Sequence, residues 1–186
     1  WLMESSLEKI HQIVLDHEIN LTENDVLEFL KIQNRWPYKY SWGQPSVEII
    51  PEFGNNHQGE FFTFDGKFLF NEWKQYYDAG FTTIISNILD LTPELRSLSD
   101  KLFHYTGSPS NGNLYFSKGS SNHRVSFPPH SHHYDVIVKP IYGNSKWELG
   151  ADTLENPKQS FIIPHNTNHC VYECLEKRLS LTLNII

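Results

Sequence analysis

The chain has 186 residues and a formal net charge of −7, with hydrophobic residues at 39% and aromatics at 14%. That composition fills the core of one domain, and the lack of any basic block excludes a general nucleic-acid binder. No run of about 18 apolar residues occurs, which excludes a helical membrane span, and Trp1–Glu4 has no basic-then-apolar leader, so a cytoplasmic location is expected.

Residues 4–34 read as helical. Leu7, Ile10, Ile13 and Val14 make an apolar stripe at helical spacing. Thr22 and Asp25 stand three apart before Val26, Leu27, Phe29 and Leu30, close to a capping box. Residues 35–62 read as irregular. They hold an aromatic, Pro-broken segment from Trp36 to Trp42, a short strand at Val47–Ile50 and a loop at Gly54–Gly59 that includes His57. Aromatic loops of this kind wall ligand pockets or anchor themselves to the surface.

Phe61–Phe64, Asp65-Gly66 and Lys67–Phe70 predict a hairpin. A short helix follows over Asn71–Ala79, ended by Gly80, and then a β-branched strand at Phe81–Ile85. Thr92 and Pro93 predict the N-terminus of a helix that runs to about Tyr105. From Gly112 the texture is all-β, with strands at Asn113–Ser117, Val136–Pro140, Lys146–Leu149, Phe161–Ile163, Cys170–Glu173 and Leu179–Ile186. A turn at Gly143-Asn144 reads as a hairpin between the second and third of these. Strands about every ten residues indicate a sandwich or barrel. The division expected is an N-terminal helical and loop region, 1–60, packed on a β-barrel domain, 61–186.

The two cysteines, Cys170 and Cys174, would lie on one strand face about 13 Å apart, too far for a disulfide. Reduced, buried thiols are expected. The sequon Asn20-Leu21-Thr22 has no secretion signal beside it.

The chemistry concentrates between Phe127 and Gly150, where His130, His132, His133 and Asp135 fall within six residues. On a strand, residues i and i+2 share a face, so His130 and His132 can meet one metal. Pro164-His165-Asn166-Thr167-Asn168-His169 begins 32 residues later and brings a turn followed by a third imidazole. Two ligands from one strand and one from another make a facial triad with open positions. His57, His123, His133 and His165 read individually as surface or loop histidines.

These motifs resemble the cupin superfamily, and more narrowly the cupin-like Jumonji-C oxygenases of the ribosomal-oxygenase type. The first cupin motif is matched by His130-x-His132, the acidic Asp135 and Gly143. The second is matched by Pro164 to His169, with Asn166 in place of glycine, since Asn also tolerates positive φ. The Jumonji-C shape appears in Asp135–Val138 and Gly143–Trp147, and upstream in Trp73–Thr83 and Asn113–Tyr115. The resemblance covers about Phe61 to Ile186.

It implies a mainly β fold with flanking helices, a double-stranded β-helix (the cupin or jelly-roll barrel). It implies an Fe(II)-dependent oxygenase using 2-oxoglutarate to hydroxylate a protein, peptide or small-molecule substrate, with His130, His132 and His169 as metal ligands. In two places the chain departs from that pattern. The carboxylate position of the triad is His132. Where a Lys or Arg would bind the distal carboxylate of 2-oxoglutarate stands Ser145, with Lys146 one step on. Tyr115, Ser145, Lys146, Arg178 and Ser180 are the co-substrate candidates, the Arg-x-Ser pair resembling one used elsewhere in the wider superfamily, and Lys139 is a further cation. A second register takes His133 and Asp135 with His169; alternatively Asp135 supports a ligating histidine. Two other functions stay open: a three-His cupin dioxygenase that does not use 2-oxoglutarate, and a non-catalytic metal- or ligand-binding domain.

Overall fold

In this computed structural model, residues 6–32, 47–50, 61–63, 65–120 and 128–186 are described. The aromatic segment 36–42, His57, Phe64 and His123 lie outside them.

The N-terminal helical stretch is two helices, α1 (Ser6–Asp16) and α2 (Glu23–Ile32). The break at 17–22 has a local cause. Thr22 Oγ1 accepts from the Asp25 amide at 3.2 Å, and Asp25 Oδ2 accepts from the Thr22 amide at 2.8 Å. This reciprocal box satisfies donors that a continuous helix would have used otherwise. Strand β1 (Val47–Ile49) is followed by the 61–70 turn, which is bridged at Phe62 and Phe68, and by α3 (Phe70–Asp78). Next come β2 (Thr83–Ser86) and α4 (Pro93–Thr106), which has Thr92 as N-cap and Gly107 as a left-handed C-cap.

The barrel strands are β3 (Asn111–Ser117), β4 (Asp135–Gly143), β5 (Lys146–Leu149), β6 (Asp152–Glu155), β7 (Phe161–Ile163), β8 (His169–Glu173) and β9 (Arg178–Ile185). They form two antiparallel sheets, β1-β2-β3-β9-β4-β7 and β6-β5-β8. The fold is a double-stranded β-helix. Two sequence expectations are corrected. β4 and β5 are not a hairpin: β4 pairs with β9 and β7, while β5 pairs with β6 and β8, so the chain changes sheet at 143–145. Gly143 makes that crossing with φ +89, and a Cβ there would stand 1.8 Å from the Lys177 carbonyl oxygen. Strand β6 was not expected; its polar sequence Asp-Thr-Leu-Glu carries no alternating apolar signal. Pro140 is tolerated inside β4 because the β4–β9 register shifts between Pro140 and Tyr142.

Each face of the large sheet has its own core. Leu114, Phe116, Ile137, Leu179, Leu181 and Leu183 point outward and pack with buried residues of α1 to α4, among them Val14, Leu30, Trp73 and Leu98. Trp73, Tyr77 and Phe116 stack on one another. Val136, Val138 and Ile163 point inward, meeting Trp147, Val171 and Cys174. Lys139 is drawn to the helical side, where its ammonium donates to the Val14 carbonyl at 2.7 Å and the Leu15 carbonyl at 3.4 Å, in the last turn of α1. It does not serve the barrel interior. Both cysteines are free and buried. Among the described residues no helix is long and apolar enough to cross a membrane.

Candidate metal centre

The three histidines at matched motif positions come together at the barrel mouth. His130 and His132 lie just before β4 rather than within it. His130 is placed by an isolated antiparallel bridge to His169: the His169 amide donates to the His130 carbonyl at 2.8 Å, and the His130 amide donates to the His169 carbonyl at 3.1 Å. The Asn166 amide donates to the His132 carbonyl at 2.6 Å, and the Thr167 amide to the Pro164 carbonyl at 3.1 Å. Asn166 takes φ +58, the left-handed conformation expected where the motif has glycine. A tight turn thus delivers His169 opposite His130.

The ring centroids of His130 lie 4.3 Å from those of His169 and 4.8 Å from those of His132. One ring nitrogen from each of the three lies within 4.8 Å of the others. Imidazole–metal bonds of about 2.1 Å allow ligand nitrogens up to about 4.2 Å apart, so small ring rotations complete the set. The ring chemistry suits a metal. His130 Nδ1 meets the Pro128 carbonyl at 2.8 Å, and His169 Nδ1 meets the Thr167 carbonyl at 2.9 Å. A carbonyl only accepts, so both Nδ1 atoms carry the proton and both Nε2 atoms present lone pairs. Burial pushes the His130 imidazole down to about 4, countered in part by its bond to Pro128 and reinforced by His169 and His132. Burial also lowers His132 and His169. The ring of Tyr134 stacks on His132 at 5.0 Å. Three imidazoles with one ring nitrogen of each within 4.8 Å of the others could hold a metal ion.

Below them lies a cavity of about 80 Å³. Its wall is divided between strands. Asn113 and Tyr115 of β3, with Arg178, Thr182 and Asn184 of β9, make a polar side; Val136, Val138, Ile163 and Val171 make an apolar one. Arg178 is 3% exposed, and among the described residues its Nε and Nη1 have no hydrogen-bond partner. Its guanidinium lies over the Trp147 ring at 5.5 Å, is hydrogen-bonded to the Cys174 side chain and stands near Tyr115. Among the described residues no carboxylate acts on it. A buried cation with open donors costs stability unless an anion completes it. Ser180 is also buried with an unpartnered Oγ and sits opposite Tyr115 in the β3–β9 register. Burial pushes the Tyr115 phenol up to about 12, and its hydroxyl is hydrogen-bonded to the Thr182 side chain.

The other sequence candidates lie elsewhere. Lys146 faces away from the cavity, as alternation about the inward Trp147 requires, and pairs with Glu173 at 2.7 Å. Ser145 does not line the cavity; its Oγ accepts from the Trp147 indole N–H at 3.0 Å. Asp135 is spent on the turn, accepting from the His165 amide at 2.8 Å with the His165 ring at 3.0 Å, bonds that hold its carboxyl below the usual range. It therefore steadies the loop carrying His169 without joining the three-histidine group, and His133 contacts Asn166 Oδ1 at 3.3 Å. Asn113, Tyr134, Thr182 and Asn184 were not anticipated, although Arg178-x-Ser180-x-Thr182-x-Asn184 alternates with three leucines and so marks a polar inner face.

No protein-family model and no curated protein matches the chain. Solved structures similar to it include an RmlC-like cupin from Shewanella frigidimarina, 10% identical, covering 40% of this chain and 64% of that one with a TM-score of 0.35. A protein from Photorhabdus luminescens is 21% identical, with coverages of 42% and 64% and a TM-score of 0.36. Fe(II) HppE is 9% identical, with coverages of 56% and 50% and a TM-score of 0.38. The chain spans less than two thirds of the length of each.

Proposed function

We propose that the protein is an Fe(II)-dependent oxygenase of the Jumonji-C-like kind whose cavity binds a small carboxylic acid, with 2-oxoglutarate as that acid. One observation carries the reading: three neutral imidazoles converge at the mouth of a cavity that also holds a buried guanidinium with open donors. Imidazole suits iron, and a three-nitrogen set leaves open positions and the ion's full charge of about 2+. A chelating dianion would neutralise it. The bound metal would supply oxygen activation.

The chain's own residues have separate tasks in this reading. His130, His132 and His169 hold the ion. Arg178 receives the distal carboxylate through its planar fork, with Tyr115 and Ser180 offering hydroxyls on the same side. Val136, Val138, Ile163 and Val171 exclude water from the apolar flank. The substrate is a small molecule or a peptide side chain presented at the mouth, where Asn113 and Asn184 lie.

The all-nitrogen donor set and the small cavity favour a second reading, in which the acid is itself the substrate of a three-His dioxygenase. The deciding experiment incubates the protein with Fe(II), 2-oxoglutarate and oxygen and measures succinate. Release of succinate, lost in Arg178→Ala, supports the first reading. Oxygen consumption with a candidate acid and no succinate supports the second. Neither, in metal-loaded protein, indicates a non-catalytic binding domain.

A further inference from the structure

Arg178 is held in an unusual way. Buried arginines are normally oriented by carboxylates, yet here the guanidinium lies against an indole face, and two of its nitrogens are left without partners among the described residues. The indole is in turn fixed from its edge. Trp147 is 6% exposed, and its N–H donates to Ser145 Oγ at 3.0 Å. Ser145 is itself buried, at the crossing where the chain leaves β4 for β5. A further edge-to-face contact with Phe161, at 5.3 Å, braces the ring. The guanidinium thus rests on a platform whose rotation is set by one hydroxyl, and its other side-chain bond is to Cys174, a thiol that leaves Nε and Nη1 open.

We infer that Ser145 and Trp147 are positioning residues that aim Arg178 into the cavity. The inference rests on the reading of Arg178 as the acid-binding group. An aromatic face orients a guanidinium without consuming its donors, because the attraction is to the ring's π-density and leaves the N–H edges free. A carboxylate in the same place would orient Arg178 equally well but would occupy the fork that the ligand needs. The arrangement also gives Ser145 a part in acid binding although it does not line the cavity. Its hydroxyl fixes the rotation of the indole, and the indole fixes the guanidinium.

The test measures 2-oxoglutarate affinity by calorimetry under anaerobic conditions in the Fe(II)-loaded protein, alongside iron content and a crystal structure of each variant. Arg178→Ala should abolish acid binding while retaining iron. Ser145→Ala, which removes only the hydroxyl, should weaken 2-oxoglutarate about three- to tenfold with iron content unchanged and with Arg178 displaced from the Trp147 face. Ser145→Thr, which keeps the hydroxyl, should retain affinity, while Ser145→Cys, which keeps the volume but is a poor acceptor, should not. Trp147→Phe keeps a ring face but loses the N–H, and should resemble Ser145→Ala. Wild-type affinity in Ser145→Ala, or an Arg178 unmoved in its structure, overturns the relay even where Arg178→Ala has lost binding. If Arg178→Ala binds the acid normally, the acid-binding reading itself fails. If the wild type takes no 2-oxoglutarate, the position of Arg178 in the Ser145→Ala structure still decides the relay.

Discussion

Asn166 and Gly143 are two single positions on which the site depends. Asn166 adopts φ +58 in the turn that brings His169 opposite His130. A β-branched residue there pays about 1–2 kcal/mol for the left-handed conformation. Asn166→Val is expected to weaken metal affinity while Asn166→Gly leaves it close to wild type, as read by metal titration. Equal affinities would show that the turn does not govern His169. Gly143 is more constrained, because φ +89 and a 1.8 Å approach to the Lys177 carbonyl act together. Gly143→Ala should cost about 3 kcal/mol or more in urea unfolding; a loss below 1 kcal/mol would mean that the crossing relaxes easily. Both positions were visible in the sequence through motif spacing. The carbonyls of Pro128 and Thr167 were not, since a backbone acceptor has no side-chain signature.

At the scale of elements, β9 carries most of the design. Of its even face, Arg178, Thr182 and Asn184 line the cavity and Ser180 is buried beside them, while its odd face, Leu179, Leu181 and Leu183, builds the helix-facing core. The alternation was legible, as were nearly all the barrel strands. The β4–β5 connection was misread because a Gly-Asn turn signals reversal without saying which strand the chain pairs with next. Lys146 illustrates the same limit: as a co-substrate candidate it was drawn from motif spacing, and the structure instead places it outside the cavity, paired with Glu173. Arg178 presents a trade between stability and binding. As a buried cation with no carboxylate partner among the described residues it is expected to destabilise the apo fold, so Arg178→Met should leave thermal stability unchanged or raise it while removing acid binding. A large drop in stability would instead assign Arg178 a structural ion pair.

For the whole molecule, the helices and the larger sheet share one core, while the smaller sheet closes a second, lighter core around the cavity. The two cores explain why the fold should survive changes at the metal centre. The histidines also set a pH dependence. Their folded values lie below the usual 6.5, His130 at about 4. Between those limits the unfolded chain binds protons that the folded chain excludes. Stability of the metal-free protein should therefore fall as pH drops from about 6.5 towards 4, and the fall should be shallower in His130→Asn. A flat profile across that window would mean that the imidazoles are not desolvated.

The central claim is that His130, His132 and His169 form one metal centre. The most direct measurement is anomalous diffraction at the iron edge from crystals grown anaerobically with Fe(II), for the wild type and for His169→Ala. A single peak per chain is expected, bounded by one ring nitrogen from each of the three histidines at about 2.0–2.2 Å, and absent from a His169→Ala protein that is still folded. A peak elsewhere, or no peak in the wild type under saturating iron, would contradict it.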